Sequence, residues 1–349
     1  MLHIDGSRGE GGGQILRTSL ALSILTQRPI HLENIRKGRS SPGLKRQHLE
    51  CVRAAAAISN ADVEGDHLNS TDVVFTPGPV QGGSYAFDTQ GAGSTSLVWQ
   101  TVLYPLLLAS RRGEGTSVVF KGGTHNPWAP PFPFLQSAFL PKLHAMGVDV
   151  ELDNPRLGFY PKGGGELHCT FGAGADFSTS LELTSRPKKV DVKVEALVMR
   201  LPDHVAEREL QAVQRVLGVK RKHQHIVRTD AGIGEGNAVV VHAAHDDDAE
   251  VFVSFGERGK KAEHVATKVA REAQAYLKGD WPVGEHRADQ LMLPLLFGGG
   301  VYRTGRLSLH STTQLETIRL FTDVEFDVDK RDDGSVVVEN KKALPLSGF

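Results

Sequence analysis

His310 follows the apolar alternation of Leu307 and Leu309 and precedes Ser311, Thr312 and Thr313, so the sequence places it where a strand ends and a helix begins. An imidazole, with an ordinary pKa of about 6.5, is a neutral nucleophile near pH 7 and needs little activation. The plainer reading is a structural histidine. Asp289, near the start of an earlier helix, could orient that ring or a metal, or simply be a helix-start charge. Arginines converge on the same neighbourhood. Arg17 lies in the first apolar helix, Arg36 and Arg39 flank the end of the next strand, and Lys45, Arg46, Gln47 and His48 open the helix behind Pro42. Guanidinium forks suit a triphosphate or a terminal phosphate, whereas each residue taken singly could belong to a solvated basic rim; their clustering favours the phosphate. Gly9, Gly11, Gly12 and Gly13 precede the first helix, where free amides and the helix dipole favour an anion. This string has neither the lysine of a P-loop nor the dinucleotide spacing, and it reads equally as a tight turn.

The elements needed to hold these residues repeat. Residues 9–23 read as a glycine loop running into a helix, 29–39 as a strand and 42–59 as a second helix. Residues 91–110, 116–126 and 130–147 repeat the order, and 286–296, 306–310 and 312–321 give it a third time. Two alternating strands follow each second helix, for instance 324–328 and 335–339. The expectation is an α/β (α+β) fold of three β-α-β-α-β-β units in one large domain. The first two copies begin about 80 residues apart and the third about 195 later, which interposes about 100 residues, enough for a smaller inserted α/β domain. The reading is therefore a large domain over 1–183 and 282–349 and an inserted domain over 184–281. The insert opens on a strand at 190–199, continues with a helix at 204–217 and a hairpin around 232–237, and closes on an amphipathic helix at 260–277.

Composition narrows the class. The 349 residues are 40% apolar and 23% charged with a formal charge of −1. No apolar run approaches the roughly 20 residues of a membrane span, and no basic-then-apolar leader opens the chain, so a soluble cytoplasmic protein is expected. The charge argues against nonspecific coating of nucleic acid, though not against gripping one polynucleotide end. Cys51 and Cys169 are too few and scattered for a disulfide framework and read as small buried residues. His223, His225, His242 and His245, the last two beside Asp246 to Asp248, sit in turns that solvent explains as well as a metal does. Trp128, Pro130 and Pro131 could wall a flat ring or fix a turn. An exposed sheet edge could support a homodimer, and residues 340–349 read as an ordinary surface terminus.

The strings GEGGGQILR (9–17), IRKGRSSPGLKRQHL (35–49), GAGSTSLVWQTVLYPL (91–106), GGTHNPWAPP (122–131), GFYPKGGGEL (158–167), DHVAERE (203–209) and ADQLMLP (288–294) together resemble the RNA 3′-terminal phosphate cyclase family. The resemblance implies three repeated α/β units with an inserted domain, and a ligase-type nucleotidyl transfer. ATP and a divalent cation, Mg or Mn, would adenylylate a histidine; AMP would pass to an RNA 3′-phosphate end; and the neighbouring 2′-hydroxyl would close a 2′,3′-cyclic phosphate. By matching positions the nucleophile is His310, Glu10 is the metal ligand, and Arg17, Arg36, Arg39, Gln47, Gln100 and Asp289 hold phosphate, nucleotide or metal. Pro130 would lie beside the adenine, with His286 where bacterial members carry an aromatic residue. Another departure is Leu157, where the family usually has a basic residue. The alternative is a catalytically inactive cyclase-like protein acting in ribosome assembly, a group that lacks the nucleophilic histidine. Enolpyruvyl transfer is suggested only by similar repeated units.

Overall fold

The computed structural model describes residues 1–175 and 177–346. The first unit runs β1 (Leu2–Asp5), α1 (Gly13–Thr26), β2 (Ile30–Glu33), α2 (Arg46–Ser59), β3 (Asp62–Glu64) and β4 (Val73–Thr76). The second unit is β5 (Ser84–Asp88), α3 (Thr95–Arg111), β6 (Thr116–Gly122), α4 (Phe132–Phe134), a π-helical turn Leu135–Phe139, α5 (Leu140–Ala145), β7 (Val148–Arg156) and β8 (Gly165–Ala175). A third unit opens on β9 (Leu181–Leu183), a strand that sequence periodicity does not single out.

The segment that follows forms its own four-stranded sheet. It comprises β10 (Asp191–Met199), α6 (Asp203–Leu217), β11 (Gln224–Thr229), β12 (Gly236–His245), β13 (Asp248–Phe255) and α7 (Ala262–Lys278). The third unit then resumes with α8 (Glu285–Gln290), α9 (Met292–Gly298), β14 (Gly300–Thr304), α10 (Leu309–Phe321), β15 (Asp327–Lys330) and β16 (Val336–Asn340).

The three units share one topology. The first strand pairs parallel with the second, and the second pairs antiparallel with the fourth, which carries the third on its far edge. The orders are β1-β2-β4-β3, β5-β6-β8-β7 and β9-β14-β16-β15. Parallel pairing of the first two strands demands a crossover helix. In the first two units that helix is apolar on most sides: α1 buries Leu16, Leu20, Leu22 and Ile24, and α3 buries Val98, Trp99, Leu103 and Leu107. α1 packs on α2, α3 and α10, so the first unit's glycine loop lands beside the start of the third unit's last helix.

Two expectations need correction. Residues 306–310 are not a strand; the strand is β14, and His310 is the second residue of α10. The alternation of Leu307 and Leu309 imitates a strand, but Ser308 caps the helix by accepting the Ser311 N–H at 3.1 Å. The segment 232–237 is not a hairpin either. β10 lies between β11 and β12, parallel to one and antiparallel to the other, so this connection crosses over, with Gly232 against Met199 and Gly236 against Phe159. The hairpin is β12–β13, turned through Asp246 in a left-handed conformation at φ 46°. At the far end, Leu346 is buried in the core at 1% exposure, so the chain end is more than a surface tail; 347–349 lie outside the described residues.

Both thiols are buried. Burial pushes Cys51 up to about 11 and Cys169 up to about 12, so both stay protonated and inert, with Cys169 accepting the Trp99 indole N–H at 3.2 Å. No helix is long and apolar enough to cross a membrane among the described residues.

The separate sheet is covered by α6 and α7 through Ala206, Leu210, Val213, Val265, Val269 and Ala273. Inside it Glu209 is fully buried, its carboxylate accepting from the Asn237 amide while Oε2 has no partner. Burial pushes this carboxyl up to about 8. The folded protein thus keeps a proton that the unfolded chain releases above about 4.5. Stability contributed by this group falls as pH rises from about 4.5 to about 8 and is lost above that, a swing on the order of several kcal/mol at most. Glu209→Gln is expected to flatten the decline: thermal melts at pH 5 and pH 9 should differ less for the variant than for the wild type. Equal declines would show that Glu209 is not the group that titrates.

Candidate functional site

The loop between β1 and α1 is built for close approach. Gly9 and Gly11 have φ of 53° and 59°, and a Cβ on Gly9 would fall 2.2 Å from Thr313 Oγ1. The Glu10 N–H donates to that same oxygen at 2.9 Å, pinning the loop to the first turns of α10. α1 starts behind Gly12 without a side-chain cap, so its first amides remain free for an anion. A Cβ on Gly13 would meet His48 Nε2 at 2.5 Å and Arg17 Nη1 at 2.8 Å, so its bareness lets those two side chains close over the helix start.

His310 sits in the first turn of α10 with its side chain half exposed. Its Nδ1 is 3.0 Å from Gln14 Oε1, and its Nε2 is 3.8 Å from Glu10 Oε1. Burial, reinforced by the Arg17 and Arg39 guanidiniums and by His286, holds the imidazole below its ordinary value, which keeps it neutral and nucleophilic near pH 7. Arg39 donates to the Glu10 carboxylate and, at 3.2 Å, to its backbone carbonyl. Burial pushes the Arg17 guanidinium down, opposed by the Cys51 thiol and the Asp289 carboxylate. Burial pushes Asp289 up to about 6 against the pull of Gln290, His286 and Arg17.

Of the residues expected from the sequence, Glu10, Arg17, Arg39, His286, Asp289 and His310 therefore share one electrostatic neighbourhood. Arg36 reaches its edge: in a left-handed conformation at φ 56°, it donates through Nη1 to Ser41 O (2.8 Å) and Gly43 O (2.9 Å), which fixes the loop ahead of α2. Gln47 accepts the Ser94 N–H at 3.0 Å and so ties α2 to the loop before α3. Gln100 donates to Gln290, whose amide donates to Asp289 at 3.2 Å, joining α3 to α8. Pro130 is partly buried on the segment leading into α4, and the π-turn that follows packs on α8. Trp128 is 95% exposed, in a left-handed conformation at φ 71°. Histidines 223, 225, 242 and 245 gather no metal cage: among the described residues no three or more His, Cys, Asp or Glu side chains are grouped so as to hold a metal ion.

Sequence reading passed over three contributors, Gln14, Thr313 and Arg287, and named His48 only as one of the residues opening α2. Gln14 touches the imidazole. His48, 5% exposed, is pushed down to about 3 by burial and by Arg17, Arg36 and Lys45, so it stays neutral while accepting the Lys45 N–H at 3.2 Å. Thr313 anchors the glycine loop. Arg287, fully buried between His286 and Asp289, points away from them into Asp248, Glu250 and the Pro282 carbonyl. Gln14, Thr313 and Arg287 find their partners far along the chain, so no local signal in the sequence marks them.

The site thus joins a candidate nucleophile, arginines and an uncapped helix start. A family model described as RNA 3′-terminal phosphate cyclase matches residues 8–328. The chain belongs to the RNA 3′-terminal phosphate cyclase family. Proteins of that name similar to it include one from Koribacter versatilis, 42% identical over 333 residues (95% of this chain, 93% of the relative). Another, from Ralstonia nicotianae, is 45% identical over 338 residues (96% of each chain). A third, from Salmonella enteritidis, is 41% identical over 339 residues (97% and 98%). Family membership covers every element that contributes to the site, from the glycine loop to α10.

Proposed function

We propose that this chain uses ATP to convert an RNA 3′-terminal phosphate into a 2′,3′-cyclic phosphate, with His310 carrying the adenylate. The observation that carries the reading is a half-exposed imidazole held at Nδ1 by Gln14 and surrounded by Arg17, Arg39 and the free amides of α1. His310 Nε2 attacks the α-phosphorus, forming an N–P bond as the bond to pyrophosphate breaks and pyrophosphate leaves with the electron pair. An oxygen of the RNA 3′-phosphate then displaces the imidazole, which takes back its pair. The ribose 2′-oxygen attacks the 3′-phosphorus, losing its proton and expelling AMP. Cyclisation is intramolecular and needs no outside nucleophile. The arginines and the helix start stabilise charge that develops on the phosphoryl oxygens and on the leaving group.

A divalent cation, Mg or Mn, fits the donor set. Glu10 Oε2 is buried without a hydrogen-bond partner, and one carboxylate plus substrate phosphates is a common way to hold such an ion. When bound, it would neutralise phosphate charge. His286 and Pro130 flank the place proposed for the adenine, Gln47 and Gln100 hold the walls together, and the proposed setting is the cytoplasm. His310, the residue that inactive cyclase-like proteins lack, favours the catalytic reading.

The test uses ATP labelled on the α-phosphate with magnesium or manganese. The expected result is protein-bound label that acid releases and alkali spares, discharged by 3′-phosphorylated RNA to give a phosphatase-resistant end. A protein that takes up no label, or holds label that RNA cannot discharge, is inconsistent with the proposal.

A further inference from the structure

Resting on that reading, we infer that Gln14 is a positioning residue: it fixes the His310 ring in the tautomer whose Nε2 lone pair takes up the nucleotide, and its neutral amide keeps the adduct transferable. The pair bridges two helix starts, Gln14 being the second residue of α1 and His310 the second of α10. Two hydrogen bonds flank it, Glu10 N in the loop before α1 to Thr313 Oγ1 on α10 at 2.9 Å and Thr18 Oγ1 on α1 to Gln314 Oε1 on α10 at 2.8 Å. The 3.0 Å separation of Gln14 Oε1 and His310 Nδ1 is therefore built into the packing of α1 on α10. Gln14 is 8% exposed, so water competes little for its oxygen.

A carbonyl oxygen can only accept, so the imidazole proton must sit on Nδ1. A neutral ring then has its lone pair on Nε2, the nitrogen facing Glu10. The opposite tautomer would spend that lone pair on a proton and leave no nucleophile. Once the N–P bond forms, the ring keeps its Nδ1 proton and becomes a cation, which the amide dipole steadies. Orienting groups in hydrolytic triads are carboxylates, which stabilise an imidazolium more strongly. Here the imidazole must also leave, with the N–P bond breaking as the RNA phosphate oxygen attacks and the pair returning to Nε2. A neutral acceptor sets the ring without making the charged adduct a resting state.

The experiment compares full-length wild type with Gln14→Met, which keeps length and helix propensity but cannot accept, and Gln14→Glu, which restores an acceptor. Nitrogen-15 NMR of labelled histidine should show His310 protonated at Nδ1 in the wild type and a population protonated at Nε2 in Gln14→Met. With labelled ATP at saturation, Gln14→Met should take up AMP at least about tenfold more slowly with an unchanged KM. Gln14→Glu should recover uptake to within about threefold of wild type yet discharge to 3′-phosphorylated RNA at least about tenfold more slowly. Uptake by Gln14→Met at the wild-type rate, a defect confined to KM, or a Gln14→Glu variant no better than Gln14→Met would overturn the inference alone. A wild type that takes up no label overturns the function reading and this inference with it.

Discussion

Replacing His310 with alanine should lower uptake of AMP from α-labelled ATP by at least about 1000-fold, since it removes the nitrogen proposed to form the covalent bond. Glu10 is engaged by Arg39, and His48 is buried with Nδ1 committed to the Lys45 amide. The fold should survive. The side chain is half exposed, its polar contacts reach Gln14 and Glu10, and Ser308 caps α10 independently of it. Thermal melting within about 2 °C of wild type, beside absent label, is the expected pair of results. A variant that melts normally and still labels would place the covalent bond elsewhere.

The largest stability effect is expected from Arg287. Its guanidinium is fully buried, donates to Asp248 at 2.6 and 3.1 Å, lies 3.0 Å from Glu250, and reaches the carbonyls of Ala249 (3.0 Å) and Pro282 (2.7 Å). Lys142 adds a second cation 3.0 Å from Asp248. Burial pushes both carboxyls up; for Asp248 the two cations outweigh it and hold the group below its usual range, whereas Glu250 remains raised. Arg287→Met keeps most of the volume but strands this charge, a loss of about 3–5 kcal/mol. Urea unfolding should show the midpoint falling sharply. A change under about 1 kcal/mol would mean that water or rearrangement compensates the cluster.

The sequence carried the repeat well because each crossover helix is marked by a long apolar run and each closing pair of strands by alternation. It also exposed Arg17, a charge inside an apolar helix, whereas Glu10, in the loop before α1, was reached only through the family resemblance. What it hid depended on partners far along the chain. Gln14 and His310 are separated by 296 residues, so nothing local links them. Arg287 beside His286 and Asp289 looks like one more helix-surface charge, and only β13 packing behind α8 turns it inward. The misplaced third-unit strand has a local cause: the alternation of Leu307 and Leu309 outweighed the serine cap, although β14 with Val301 and Tyr302 was the better-buried candidate.

The four-charge cluster gives the segment between β9 and α8 a lasting hold on its host. It contributes both carboxylates, on β13, while Lys142 and Arg287 belong to the flanking units. Cutting that segment out and rejoining the ends would leave two cations in a dry interior with no counter-charge. A lineage could trim its outer loops freely, but it could shed the whole segment only by replacing those cations at the same time.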